Sequence, residues 1–323
     1  MGGTISRRAA LAGLGLAALG APAARAAETL RVGKAVLEQY GYIPLDVGMS
    51  AGIFAQQGLA IEASNFTGGG KLAQAVASGA IDIALSAGPD MAFTAKGAPM
   101  LAVGTITHSP AFMAVLVGNQ FKGRGIDDLK GKRIGVSTVG SLTYWLVDEL
   151  NRVEGWTGSD RAVAAAIGAA PTTVYASLKT GEVDASIGSP QIGYQLEAAG
   201  IGRMLAPISA YVKEIELFVT MASTALIKDN PGAVRRFLKA WYDTIAFMAT
   251  HKAESSAAAM RVTGYSREVA DRSWDDLMPQ FSTDGKFDKA AMDKLFSSFV
   301  ALKTLDPGTD MTKLYTEEFL PGA

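Results

Sequence analysis

Two short loops carry residue types that can receive a polar ligand without a dedicated charged side chain. Asn65-Phe66-Thr67-Gly68-Gly69-Gly70 precedes a predicted helix beginning near Lys71, and Ser137-Thr138-Val139-Gly140-Ser141 precedes one beginning near Leu142. The first backbone N–H groups of a helix have no partner within it, so glycines and hydroxyls placed there offer donors to an anion or a polar oxygen. The same composition also makes an ordinary strand-to-helix connection with an N-cap. Their occurrence as a pair, one in each half of the chain, points to a cleft that closes on a ligand.

Several catalytic patterns fail on inspection. Gly70-Lys71 lacks the glycine five residues earlier and the following Ser/Thr of a P-loop. Ala84-Leu85-Ser86-Ala87-Gly88 has alanine where a nucleophile elbow needs its first glycine. The two histidines, His108 and His251, are far apart, and no His/Asp/Glu spacing of a metal site occurs. With no cysteine in the chain, disulfides, thiolate ligands and Cys nucleophiles are excluded together. No catalytic residue, metal or cofactor is expected.

The elements that must position the loops alternate in type. Leu30 to Val36, Ile81 to Leu85, Met100 to Ile106, Arg133 to Val136, Ala185 to Ile187 and Leu217 to Met221 read as strands between helical patterns, an open α/β architecture with mostly parallel sheets. After Met221 the pattern is helical, with Pro231 opening a long helix towards His251, and these helices are expected to cover one lobe. Lys71 to Pro89 and Thr172 to Pro190 repeat one unit: helix, Ser78-Gly79-Ala80-Ile81-Asp82 or Thr180-Gly181-Glu182-Val183-Asp184, strand, then a small-residue turn ending in proline. Gly79 and Gly181 read as left-handed caps, and Asp82 and Asp184 as turn ties. Ligands of open α/β sheets sit beyond the carboxyl ends of the strands, which makes the loops after them the candidates for contact.

The chain opens with Ser6-Arg7-Arg8, an apolar run from Ala9 to Ala21, and Ala24-Arg25-Ala26, the three parts of a secretory leader of twin-arginine type. Residues 1–27 are expected to be removed, leaving a freely diffusing periplasmic protein. Without them, 27 basic residues face 31 acidic ones, and no Lys/Arg-rich run is present. That balance argues against nucleic acid or anionic lipid as a partner. The remaining 296 or so residues suit two lobes of about 100–200 residues each.

Tyr42-Ile43-Pro44-Leu45 through Gly52-Ile53-Phe54-Ala55-Gln56-Gln57-Gly58-Leu59, the triple-glycine loop with Ser78 to Asp82, Asp128 to Val136, and Lys228-Asp229-Asn230-Pro231 followed by Phe237 to Ala240 form, in that order, a pattern over most of the chain. It resembles the solute-binding proteins of bacterial ABC importers in the nitrate/sulfonate/taurine group. The resemblance implies a two-lobed periplasmic binding fold (type II), with crossovers near Phe112 to Val117 and Ile215 to Ser223. The lobes would be 28–114 with 217–323, and 115–216. It also implies a monomer that closes on a small organic anion or related polar molecule and docks on an inner-membrane permease. The implied ligand contacts are Tyr40, Tyr42, Asn65, Thr67, Gly69, Ser86, Gly88, Asp90, His108, Thr138, Ser141, Ser189 and Gln191. Lys34, at a strand end, is a plausible contact; Lys71 is expected to be solvated.

The chain departs from many sulfonate-binding relatives in having Gly188-Ser189 where those have a Trp and an acid, and its loops offer no arginine for a bidentate clamp. A pyrimidine, thiamine precursor or aromatic carboxylate is the alternative ligand. The pyrimidine synthases of thiamine biosynthesis share the implied fold but use a cysteine-rich iron motif, which this chain lacks. A transcription-regulator effector domain would need a DNA-binding helix-turn-helix before the first lobe, where this chain has the leader.

Overall fold

A computed structural model of the protein describes residues 1–2 and 27–323; the paired arginines, the apolar run and the Ala24-Arg25-Ala26 site of the leader lie outside the described residues. The chain begins with β1 (Glu28–Lys34), α1 (Ile43–Ser50), α2 (Ile53–Gln56), β2 (Leu59–Asn65), α3 (Gly69–Ala77), β3 (Ile83–Ala87), α4 (Met91–Ala95) and β4 (Met100–Thr107). It crosses to a second unit of β5 (Ala114–Gly118), β6 (Arg133–Val136), α5 (Leu142–Val153), β7 (Val163–Ala166), α6 (Pro171–Thr180), β8 (Ala185–Gly188), α7 (Pro190–Ala198) and β9 (Gly202–Pro207). β10 (Phe218–Ser223) returns to the first unit, and α8 (Thr224–Asp229), α9 (Pro231–Thr250), α10 (Lys252–Thr263), α11 (Arg267–Leu277) and α12 (Lys289–Ala301) follow. Among the described residues no helix is long and apolar enough to cross a membrane.

The two sheets, ordered β2-β1-β3-β10-β4 and β7-β6-β8-β5-β9, share one topology. In the first, β1 pairs in parallel with β2 and β3, whereas β10 runs antiparallel to β3 and β4. In the second, β6 pairs in parallel with β7 and β8, and β5 runs antiparallel to β8 and β9. Each sheet is therefore mixed rather than simply parallel. The reversed strand is in each case the one delivered from the other sheet by a crossing, and we propose that the lobes follow this division of strands.

The repeated unit extends to its ties. Asp82 Oδ2 accepts from the backbone N–H of Arg31 at 2.9 Å, and Asp184 Oδ2 accepts from that of Arg133 at 2.9 Å. Each aspartate thus pins the turn after its helix to the neighbouring strand, mid-β1 in one case and the start of β6 in the other. Gly79 and Gly181 sit at φ 74° and 73°, the left-handed conformation that a side chain at Cβ disfavours.

α9 begins as its sequence dictates, with Pro231 in the first turn and the Asn230 side chain accepting from Ala233 N–H at 3.1 Å. Its inner face buries Phe237 and Trp241 completely against α1 and α2. The C-terminal helices reach further than the single lobe expected of them. Tyr194 of α7 donates to Asp276 of α11 at 2.6 Å, and the Arg272 guanidinium lies 3.7 Å over the Tyr194 ring and 3.0 Å from Glu197. Ser298 of α12 donates to the buried Glu149 of α5 at 2.7 Å.

The crossings, residues 108–113 and 208–217, run side by side: Leu217 N–H donates to the Thr107 carbonyl at 3.0 Å and Ile208 N–H to that of Met113 at 3.0 Å. Phe112 packs edge-on against Phe218 and Phe281, at 6.0 and 5.1 Å between ring centroids. Fully buried Glu216 accepts from Thr105 Oγ1 at 2.6 Å and from Asp288 N–H at 2.7 Å, and burial pushes its carboxyl up to about 7.

Candidate functional site

Between the sheets, the carboxyl ends of β1, β3, β6 and β8 face one another across two adjoining recesses of about 60 and 50 Å³. Val36, Gln39, Met113, Ser137 and Thr143 line both, so they are compartments of one cleft. Spaces this small hold a few waters, and admitting an organic solute requires the lobes to part.

On the first lobe, the turn after β3 places Asp90 in the cleft at 2% exposure. Its Oδ2 accepts from Ala87 N–H at 3.1 Å and from Ser86 Oγ. The carboxylate packs so closely on Gly69, the first residue of α3, that a Cβ there would overlap it. Burial pushes the Asp90 carboxyl up to about 6, against the lowering effect of the two hydrogen bonds, and at pH 7 it is mostly ionised. Tyr42, packed edge-on against Phe218 at 5.2 Å, completes this wall, and burial beside Asp90 raises its hydroxyl well above the usual tyrosine value.

On the second lobe, three hydroxyls gather where β6 runs into α5. Thr143 Oγ1 accepts from Ser137 N–H at 2.8 Å and lies 3.1 Å from Ser137 Oγ and 3.0 Å from Ser141 Oγ. Ser141 Oγ donates to the Thr138 carbonyl at 2.7 Å while capping α5 by accepting from Tyr144 N–H at 3.3 Å. Beyond them, Ser189 is buried, lines the other recess, and its Oγ has no partner among the described residues. Glu38 lines the same recess, with its carboxyl raised by burial.

Of the residues expected from sequence, Tyr42, Gly69, Asp90, Ser141 and Ser189 line the cleft. Ser86 stands behind Asp90 as its donor. Gly88 packs on the Glu216 carbonyl where no Cβ would fit, which makes its role one of close approach. Thr138 reaches across to the glycine loop, where a Cβ on Gly68 would come within 2.9 Å of its Oγ1.

Asn65 and Thr67 are exposed and outside the cleft lining. Phe66 takes the inward position against Gly33, so its two neighbours on an extended segment turn away. Tyr40, fully buried beside Phe281, and half-buried His108 also lie off the lining, each with an unpartnered buried polar atom. Gln191 is fully buried, and neither atom of its amide has a partner among the described residues. Lys34 is spoken for: its Nζ is buried 2.9 Å from Asp46. Lys71 is exposed, as expected.

Sequence reasoning missed Glu38, Gln39, Met113, Thr143 and the Gly168-Ala169 turn, and named Ser137 only as the start of its loop. Thr143 had a signal in its spacing from Ser137 and Ser141; Met113 and Gln39, on the crossing and past β1, had none. The electrostatics of the lining also differ from an anion site. Among the described residues the recesses contain Glu38 and Asp90 and no Lys, Arg or His. No group of three or more His, Cys, Asp or Glu converges as a metal site among the described residues.

The family model described as NMT1/THI5 like matches residues 40–255. Over 217 residues, 62% of its length, the chain is 29% identical to 4-amino-5-hydroxymethyl-2-methylpyrimidine phosphate synthase of Saccharomyces cerevisiae, and it spans only 61% of that synthase. The alkanesulfonate-binding protein SsuA of Xanthomonas axonopodis pv. citri, solved with MOPS, superposes with a TM-score of 0.72 at 21% identity, covering 86% of this chain and 94% of that one. The aliphatic sulphonate-binding protein SsuA of Escherichia coli gives 0.73 at 18% identity over 90% and 99%. These likenesses establish the two-lobed periplasmic-binding fold.

Proposed function

The chain belongs to the NMT1/THI5-like family, and from that premise we propose that it is the periplasmic solute-binding component of an ABC importer. It takes up a small molecule between its lobes and presents the closed form to an inner-membrane permease. Its role is binding, with no reaction of its own. The ligand it suits is a neutral or cationic solute rich in hydrogen-bond donors and flat enough to lie against Tyr42 and Phe218, such as an aminopyrimidine. That is the class of compound that names the yeast synthase.

The observation that carries this reading is the charge of the lining, two carboxyl groups and no cation among the described residues, with nearby Lys34 behind the wall and paired to Asp46. A sulfonate or nitrate, the ligand first expected from the sequence, would meet Asp90 rather than a compensating charge, and burying an unpaired anion beside another is costly. An amine or amidine edge instead gains a charge-assisted hydrogen bond from the same carboxylate. The hydroxyls of Ser137, Ser141 and Thr143 face it from the other lobe and accept or donate as required.

Thermal unfolding with a panel of aminopyrimidines, amines, sulfonates and nitrate tests this reading. The cognate class raises the melting temperature, by the equivalent of about 2.7 kcal/mol at a hundredfold excess over Kd, and shrinks the radius of gyration in small-angle scattering. Stabilisation by the sulfonates or nitrate alone would contradict the ligand class, and equal radii with and without a tight ligand would contradict lobe closure.

A further inference from the structure

We propose that Asp90 sets the charge specificity of the cleft: its carboxylate occupies the place at the start of α3 where an oxoanion would otherwise be held, so the cleft admits donors and turns oxoanions away. This rests on the reading of the cleft as a solute site. A helix of nine residues such as α3 presents unpaired N–H groups and a positive dipole end at Gly69. The group that meets this end is internal: the Asp90 carboxylate abuts Gly69, and glycine is the residue type that leaves it room.

Asp90 is fixed there. Ser86 Oγ and Ala87 N–H both donate to Oδ2, while Oδ1 accepts no bond among the described residues and belongs to a side chain that lines the cleft. The carboxylate therefore stands against the first residue of the helix, held there by Ser86 and Ala87, and keeps Oδ1 as an acceptor for a ligand. In the adjoining recess, Ser189 is 6% exposed and its Oγ makes no hydrogen bond among the described residues. An anion at α3 would have to displace or protonate Asp90, whereas a donor needs neither.

The test is calorimetric titration of wild type, Asp90→Ala and Asp90→Asn with methanesulfonate and nitrate as probes, beside 4-aminopyrimidine, with each variant's fold checked by its circular-dichroism melt. Wild type should give no oxoanion binding up to about 10 mM. Asp90→Ala, which opens the helix end, should gain at least about tenfold in affinity for one of the oxoanions and lose at least as much for 4-aminopyrimidine. Should Asp90→Ala fail to fold, Asp90→Asn keeps the shape without the charge and should move both affinities in the same directions. Folded variants no better than wild type with both oxoanions would overturn the assignment of Asp90. If wild type closes on the aminopyrimidine while the variants stay blind to oxoanions, only that assignment falls; a wild type that binds methanesulfonate tightly sinks the proposed ligand class as well.

Discussion

Replacing Asp90 by asparagine removes an ionisable group from a nearly solvent-free site while keeping its shape, and the consequence for stability can be worked out. Burial raises this carboxyl from 3.8 to about 6, a shift of roughly 2 units, which corresponds to about 3 kcal/mol. Because the folded-state value is the higher one, the folded protein holds a proton that the unfolded chain has released between those two pH values. The contribution of Asp90 to stability is therefore greatest below about pH 3.8, falls as the pH rises through 6, and levels off above it. The asparagine variant lacks this term. Urea unfolding of both proteins from pH 4 to pH 8 should show the variant gaining on wild type as the pH rises, by up to about 3 kcal/mol in total. Glu216, raised to about 7 by the same cause, titrates in an overlapping window, but it is present in both proteins and cancels in the difference where the two sites act independently. A difference constant to within about 0.5 kcal/mol over this range, or one that shrinks as the pH rises, would refute the claim that Asp90 is held as a destabilised carboxylate in the cleft.

Gly69→Val should abolish solute binding, since its side chain would overlap the Asp90 carboxylate, at a stability cost of about 1–3 kcal/mol; exposed Lys71→Ala should leave calorimetric affinity and melting temperature nearly unchanged. Arg272→Ala removes the cation over Tyr194 and the contact with Glu197 across the lobes. It should weaken the apparent solute affinity by roughly three- to tenfold through a smaller closed population, with a larger ligand-free radius in small-angle scattering. Arg7→Lys with Arg8→Lys should leave uncleaved precursor in the cytoplasm, visible by immunoblot of cell fractions, and normal export of that double variant would show that the paired arginines are dispensable.

β3 and β10 were legible in the sequence because they are buried throughout and mostly apolar: all five residues of β3 and all six of β10 are buried. β2, β7 and β9 were not, and each is an edge strand; internal β5, buried throughout, entered only as a crossover implied by the resemblance. β2 has one fully buried residue, Leu59, and the alanine-rich β7 has none, so neither carries the hydrophobic signature by which strands are recognised. The reversed strand in each sheet was equally hidden as to direction, because pairing partners follow from where the crossings lead and not from local composition.

Both loops expected from sequence reach the recesses, and their side chains do so only in part. Helix caps and glycine turns are local, and so Ser141 and Gly69 on the lining were legible. Asn65 and Thr67 lie off it because Phe66 claims the inward position, a choice settled by its packing under Gly33. Lys34 looked available until Asp46, twelve residues on, was brought to 2.9 Å by α1. The sign of the cleft was the least legible property, since it depends on which charged groups are paired elsewhere and which remain on the lining.

Native mass spectrometry of the protein isolated from its host without denaturation, followed by identification of whatever small molecule it releases, tests the central claim most directly. A nitrogenous solute, neutral or cationic and carrying N–H donors, is the predicted result, and Asp90→Ala protein isolated in the same way should release none of it. Release of a sulfonate, nitrate or another oxoanion from the wild-type protein would contradict the account.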